Sequence, residues 1–222
     1  MNGVELAKSL INGTGVTPPL KILFLLTILS LLPAIVLTMT SFVRTVVVLS
    51  FLRQGLSTQQ TPPTQVIVGL SLFLTAFTMA PVARQMQAKA IDPYTAGTID
   101  ETVAIDYAQA PVKTFMLRQT RQTDLELFYG VTQATLPKTP DEVPITIAIP
   151  AFVLSELTTA FQMGVMVLLP FLVVDLAVAS LLMSMGMVFV SPMTLSLPIK
   201  LLLFVLADGW NLVVGSLLRS FR

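Results

Sequence analysis

From residue 145 to residue 190 the chain carries only two charged side chains, Glu156 and Asp175, and both are acidic. A helix crosses the hydrocarbon of a bilayer with roughly 20 apolar residues, so at about 1.5 Å per residue a straight helix over 145–190 would overshoot it. The run must leave the membrane, bend or fold back. Pro170 is the expected bend, because proline removes an intrahelical hydrogen bond and its ring clashes with the preceding turn. Three other stretches qualify loosely as spans. They are 20–52, interrupted by Pro33 and Arg44; 64–82, without a charge; and 195–218, which carries Lys200 and Asp208.

Composition agrees with this reading. Of the residues, 54% are hydrophobic and 11% charged, against about a quarter charged in soluble domains, so the chain reads as a membrane protein or a subunit of a membrane complex. A net charge of +1 with no basic cluster excludes nucleic acid as a partner. There is no cysteine and no histidine, which removes disulfides, thiolate metal sites and the commonest general base. No glycine loop of the phosphate-binding kind occurs either. An enzyme is therefore not expected, nor a cofactor. The first twenty residues mix Gly, Asn, Thr and paired prolines and do not read as a signal peptide. Either the chain inserts without one or a precursor segment precedes this sequence.

The stretch 83–143 is different in kind. It holds eight of the twelve acidic residues and all three tyrosines, and reads as a folded helical insert. Thr98 with Glu101, and Thr123 with Glu126, fit the capping-box pattern and predict two short helices. Pro111 is expected to break the first before Phe115 and Met116 resume an apolar face. Thr139, Pro140 and Glu142 predict the start of the long helix bearing Glu156. The resulting segments are 1–19, an N-terminal piece; 20–82, a first helical hairpin; the insert 83–143; and 144–222, a second helical hairpin with a loop near 183–192. Basic residues in the links do not fix the orientation, and Tyr and Trp are nearly absent from the apolar segment ends, which suggests helices covered by other protein.

A charge at a bilayer centre costs about 2.5 to 3.5 kcal/mol on insertion scales, so it normally faces protein or water and has a partner. Arg44 and Asp175 are equally open to sitting at helix ends that reach water. Glu156 is not, since it lies well inside its run and its nearest charged neighbours in sequence, Glu142 and Asp175, are also acidic. Lys200 is the obvious opposite charge, within one chain or across two. A relay of protons or ions through Glu156, Asp175 and Asp208 is the competing functional reading. In LLMSMGMVFVSP, Met183, Met185, Met187 and Phe189 precede a Ser191-Pro192 stop, and Gly186 is expected to loosen the helix. Methionines at a helix end are most often core packing. Their flexibility also suits a deformable apolar seal that closes a pore by dewetting.

The run LPAIVLTMTSFVRTVVVLSFLRQGLSTQQTPPTQVIVGLSLFLTAFTMAPV, the stretch PAFVLSELTTAFQMG and the terminal LPIKLLLFVLADGWNLVVGS together resemble the FliP family, the flagellar type III export-gate proteins, which are related to the SctR proteins of virulence secretion. FMLRQTRQTDLELF at 115–128 is closer to the flagellar branch. The resemblance implies an all-α subunit of long helical hairpins in the bacterial inner membrane, within the flagellar basal body. It implies a ring of about five copies, joined by FliQ-type and FliR-type subunits into a helical, conical assembly with much of its mass, and the insert, on the periplasmic side. Unfolded flagellar proteins would pass through it, and lipid would surround its base. It further implies an inter-subunit charge cluster of Glu156, Lys200 and Arg118, and a pore gasket of Met187, Val188 and Phe189 supported by Met185 and Met183. The chain departs from the family at Thr158, where many members have lysine, and at Val188 and Phe189, where many have methionine. A small ion-coupled transporter or channel is the alternative.

Overall fold

The computed structural model describes residues 18–58, 61–133, 137, 139–187 and 189–221. Among these the secondary structure is helical, with no β-strand. They divide into two units, Met1–Thr38 and Met39–Arg222. The first contains helix α1 (Pro18–Thr38), which runs through Pro33 without a break. Its apolar side chains Ile22, Leu23, Leu26, Leu29 and Ile35 are all exposed in the single chain, and a helix hydrophobic on every face requires lipid or other protein to cover it. Thr27, Ser30 and Thr38 turn their hydroxyls back onto carbonyls of the same helix, so none of these groups requires an outside partner.

The second unit is built around one element, α6 (Ile145–Ser184), of 40 residues. At 1.5 Å per residue it is about 60 Å long, twice the hydrocarbon thickness. Neither Pro150 nor Pro170 ends it, and the helix is continuous through both. A single lost backbone bond is tolerated when neighbouring elements hold the helix on both sides. What ends α6 is Gly186. Its φ is +75°, its N–H donates to Met183 O at 3.1 Å, and the Met187 N–H donates to Leu182 O at 2.9 Å. This paired return closes the free carbonyls of the last turn and needs a residue that enters the left-handed region without strain. Gly186 thus stops the helix where the sequence pattern predicts only a loosening, ahead of Pro192.

Around α6 lie α2 (Phe42–Gly55), α3 (Thr64–Thr95), α4 (Glu101–Gln119), α5 (Gln122–Thr132), α7 (Pro192–Leu206) and α8 (Gly209–Arg219). Helix α3 passes through Val82 and a π-turn at Gln87–Ile91, continuing to Thr95. Helix α4 likewise runs through Pro111. The helix starts also differ from the capping-box reading. Glu101 is the first residue of α4 because the Thr98 hydroxyl donates to Pro93 O at 2.8 Å instead of capping. Thr123 is inside α5, and the Thr139 signal opens only a 3-10 turn, Pro140–Glu142, before α6 starts behind Pro144. Helices α3 and α6 are each long and apolar enough to cross a membrane, and α7 with α8, bent by 64°, pass the same test as a broken pair.

Two apolar cores share α6. One gathers Val48, Leu49, Leu52, Ile67, Ala160, Phe171, Phe204 and Leu217. The other gathers Met116, Val143, Ala148 and Phe152. Helices α2 and α6 approach closely because glycine stands at two crossing points. A Cβ on Gly164 would lie 2.3 Å from Phe51, and one on Gly55 would lie 2.6 Å from Phe171. Small residues at helix crossings permit this approach where no hydrophobic driving force acts between helices. On the outer side of α6, Phe161, Met166, Val173 and Leu176 remain exposed.

Candidate functional site

The buried stripe of α6 runs Ala148, Phe152, Glu156, Ala160, Gly164, each four residues on from the last. Glu156 therefore sits between the two cores and is fully buried. Its partner is Arg44 on α2, itself only 2% exposed. Arg44 Nε donates to Glu156 Oε2 at 2.9 Å and Nη2 donates to Oε1, a two-pronged contact. Nη1 donates to the carbonyl and the hydroxyl of Ser220, each at 3.0 Å, and Nη2 also to Gln119 Oε1 at 3.2 Å. These five bonds match the five N–H donors that a guanidinium carries. The Phe221 ring centroid lies 4.1 Å from the guanidinium carbon, within cation–π range. Arg44 thus joins α2, α4, α6 and the end of the chain, and does not reach water.

The residue before Glu156 performs a second tie. Ser155 Oγ donates to Asp124 Oδ2 and accepts from the Arg121 backbone N–H at 3.0 Å. Arg121 grips the same carboxylate through Nε at 2.8 Å and Nη2 at 2.9 Å. Burial pushes the Asp124 carboxyl up, but the hydrogen bonds from Arg121 and Ser155, with the Arg121 charge, outweigh it and hold it below the usual carboxylate range. Nearby, burial and then the charge of Glu142 push the Tyr129 hydroxyl up.

Lys200, 1% exposed, does not meet Glu156 within the chain. Its Nζ donates to Asp175 Oδ2 and to Ser57 Oγ, both at 2.6 Å, and Ser196 Oγ donates to Asp175 Oδ1 at 2.6 Å. Arg118, at the end of α4, is exposed and has no ion pair among the described residues. The sequence-derived trio of Glu156, Lys200 and Arg118 is thus not gathered by one protomer. Sequence reasoning singled out Arg44 and Asp175 but did not pair them with Glu156 and Lys200, and it missed Ser155 and Asp124. The available signal was charge matching, since Arg44 and Lys200 are bases and Glu156 and Asp175 acids in apolar stretches. Asp208 lies at a left-handed position before α8 and accepts from Asn211 Nδ2 at 3.1 Å. No group of three or more Asp and Glu side chains able to hold a metal occurs among the described residues.

The loop after α6 presents a different surface. Met183 is 66% exposed, Met185 70%, and Phe189 is exposed completely, while Met187 is partly exposed. Val188 lies outside the described residues.

The family model described as the FliP family matches residues 25–217. A flagellar biosynthetic protein FliP from Pectobacterium carotovorum subsp. carotovorum is 51% identical over 210 residues, covering 95% of this chain and 81% of that protein. One from Bacillus subtilis (strain 168) is 48% identical over 207 residues, covering 93% and 94% respectively. One from Caulobacter vibrioides is 45% identical over 228 residues, covering 100% and 86%.

Proposed function

This chain belongs to the FliP family, and on that premise we propose that its loop between α6 and α7 is the apolar barrier of a flagellar protein export gate. The chain is a membrane-embedded helical subunit of that type III gate. The observation that carries the barrier reading is the exposure of Met183, Met185 and Phe189 at one end of the α6–α7 pair. Large apolar side chains left without neighbours in their own chain are suited to meet their counterparts in other copies. Flexible thioethers and a ring packed together would exclude hydrated ions yet yield to an unfolded polypeptide. The chain then acts as a structural subunit and catalyses no reaction.

The supporting assembly is a ring of about five copies in which one face of each meets a different face of the next. FliQ-type and FliR-type subunits complete it, and the insert stands on the periplasmic side of the inner membrane. Arg118, exposed and without an ion pair among the described residues, is the member of the sequence-derived trio most available to a neighbour. A relay through Glu156, Asp175 and Asp208 finds less support, because Glu156 and Asp175 are each fixed to a different base.

The test replaces Met187 and Phe189 by glycine in the assembled gate and measures ion conductance across the membrane. Leakage with assembly preserved supports the barrier, and unchanged impermeability rejects it.

A further inference from the structure

The loop is exposed at Met185 and Phe189, but its base is not loose. Asp175 stands on α6 before the loop, and Ser196 and Lys200 stand on α7 after it. One carboxylate joins the two helices, Oδ1 accepting from Ser196 Oγ and Oδ2 from Lys200 Nζ, each at 2.6 Å. Lys200 Nζ carries the link to a third helix through Ser57 Oγ at 2.6 Å. Ser57 is the left-handed residue that ends α2, with φ of +57°. Ser196 and Lys200 are buried while the Asp175 side chain is 34% exposed, so its carboxylate covers both donors from the open side.

We propose that Asp175 is the positioning residue of the barrier loop. Its carboxylate fixes the separation of α6 and α7 at the loop's base and, through Lys200, locks that separation to the end of α2. Loop residues 185, 187 and 189 are then held at one level by a polar clamp behind them and by the Gly186 stop within them. This rests on the reading of the loop as a barrier. The Arg44 network plays no part in it, since Arg44 and Glu156 share no bond with Asp175, Ser196 or Lys200.

Hydrogen exchange of peptides covering 183–192, measured in the assembled complex, reads the clamp without relying on transport. Asp175→Ala should speed exchange there by about tenfold or more through easier local opening, with peptides around Arg44 and Glu156 unchanged. Because an unpaired Lys200 could unfold the chain, a second variant, Asp175→Leu with Lys200→Met, removes both charges together. It should keep the fold and still loosen the loop. Ser196→Ala, which changes no charge, should show a smaller acceleration. Wild-type exchange in the loop of all three variants overturns the proposal. Conductance of the glycine-substituted loop, measured in parallel, judges the barrier reading separately. If that loop does not leak, the barrier falls, and the exchange data still decide the clamp.

Discussion

Arg44 and Glu156 stand 112 positions apart in the sequence and meet as a fully buried, two-pronged ion pair between α2 and α6. Breaking a buried pair from one side costs more than removing both charges, because the survivor stays desolvated without a counter-charge. Glu156→Gln should therefore lower stability by roughly 3–5 kcal/mol, read as a large drop in melting temperature of the detergent-solubilised protein. Arg44→Met combined with Glu156→Met should recover most of that loss.

Gly164→Ala should destabilise by about 1–3 kcal/mol through overpacking, since the added methyl would meet Phe51 at 2.3 Å. The Phe51 ring, edge-on to Phe161 at 5.2 Å, must move to admit the methyl, and because it lines a cavity with Val47 and Ser50 the cost falls at the lower end of that range. Gly69→Ala is the control. It has nothing within 4 Å of the new Cβ and sits in α3, so it should stabilise by about 0.5–1 kcal/mol. Paired thermal melts check both signs.

Gly186→Ala places a Cβ in the left-handed region at φ of +75°, which costs about 1–2 kcal/mol. The end of α6 should fray and proteolysis near 185–190 should accelerate, with the rest of the chain unaffected.

The class of this protein and its apolar spans are legible in the sequence because low charge and long hydrophobic runs admit few alternatives. The positions of the breaks are not. Proline predicts a break at Pro111, yet α4 passes through it, because packing outweighs one missing hydrogen bond. Gly186, which reads as a minor loosening, ends the longest helix through its positive φ. Charge partners are hidden for another reason. Arg44 with Glu156 and Lys200 with Asp175 are nonlocal pairs, and spacing along the chain carries no information about which base meets which acid. Ser155 and Asp124 are legible only once α5 is known to lie beside α6.

Asp124 gives the insert an acid-sensitive tie. Its carboxyl is held below its usual value, so its contribution is complete above an unfolded value of about 3.9 and is lost as the pH falls through the folded one. Acid titration followed by the tyrosine bands of near-ultraviolet circular dichroism reports on the insert, which holds all three tyrosines. Wild type should lose stability in that window. Asp124→Asn should be less stable at neutral pH and flatter below it, and parallel curves would show that the tie is not formed.

The most direct measurement of whether this buried pair belongs to one protomer is a charge swap in cis and in trans, read by native mass spectrometry of the purified gate. Chains carrying both Arg44→Glu and Glu156→Arg should recover assembly that either single variant loses, while a mixture of the two single variants should not. If the mixture of single variants assembles, its charges can be matched only across copies, so the pair lies between protomers and the intramolecular pair is contradicted.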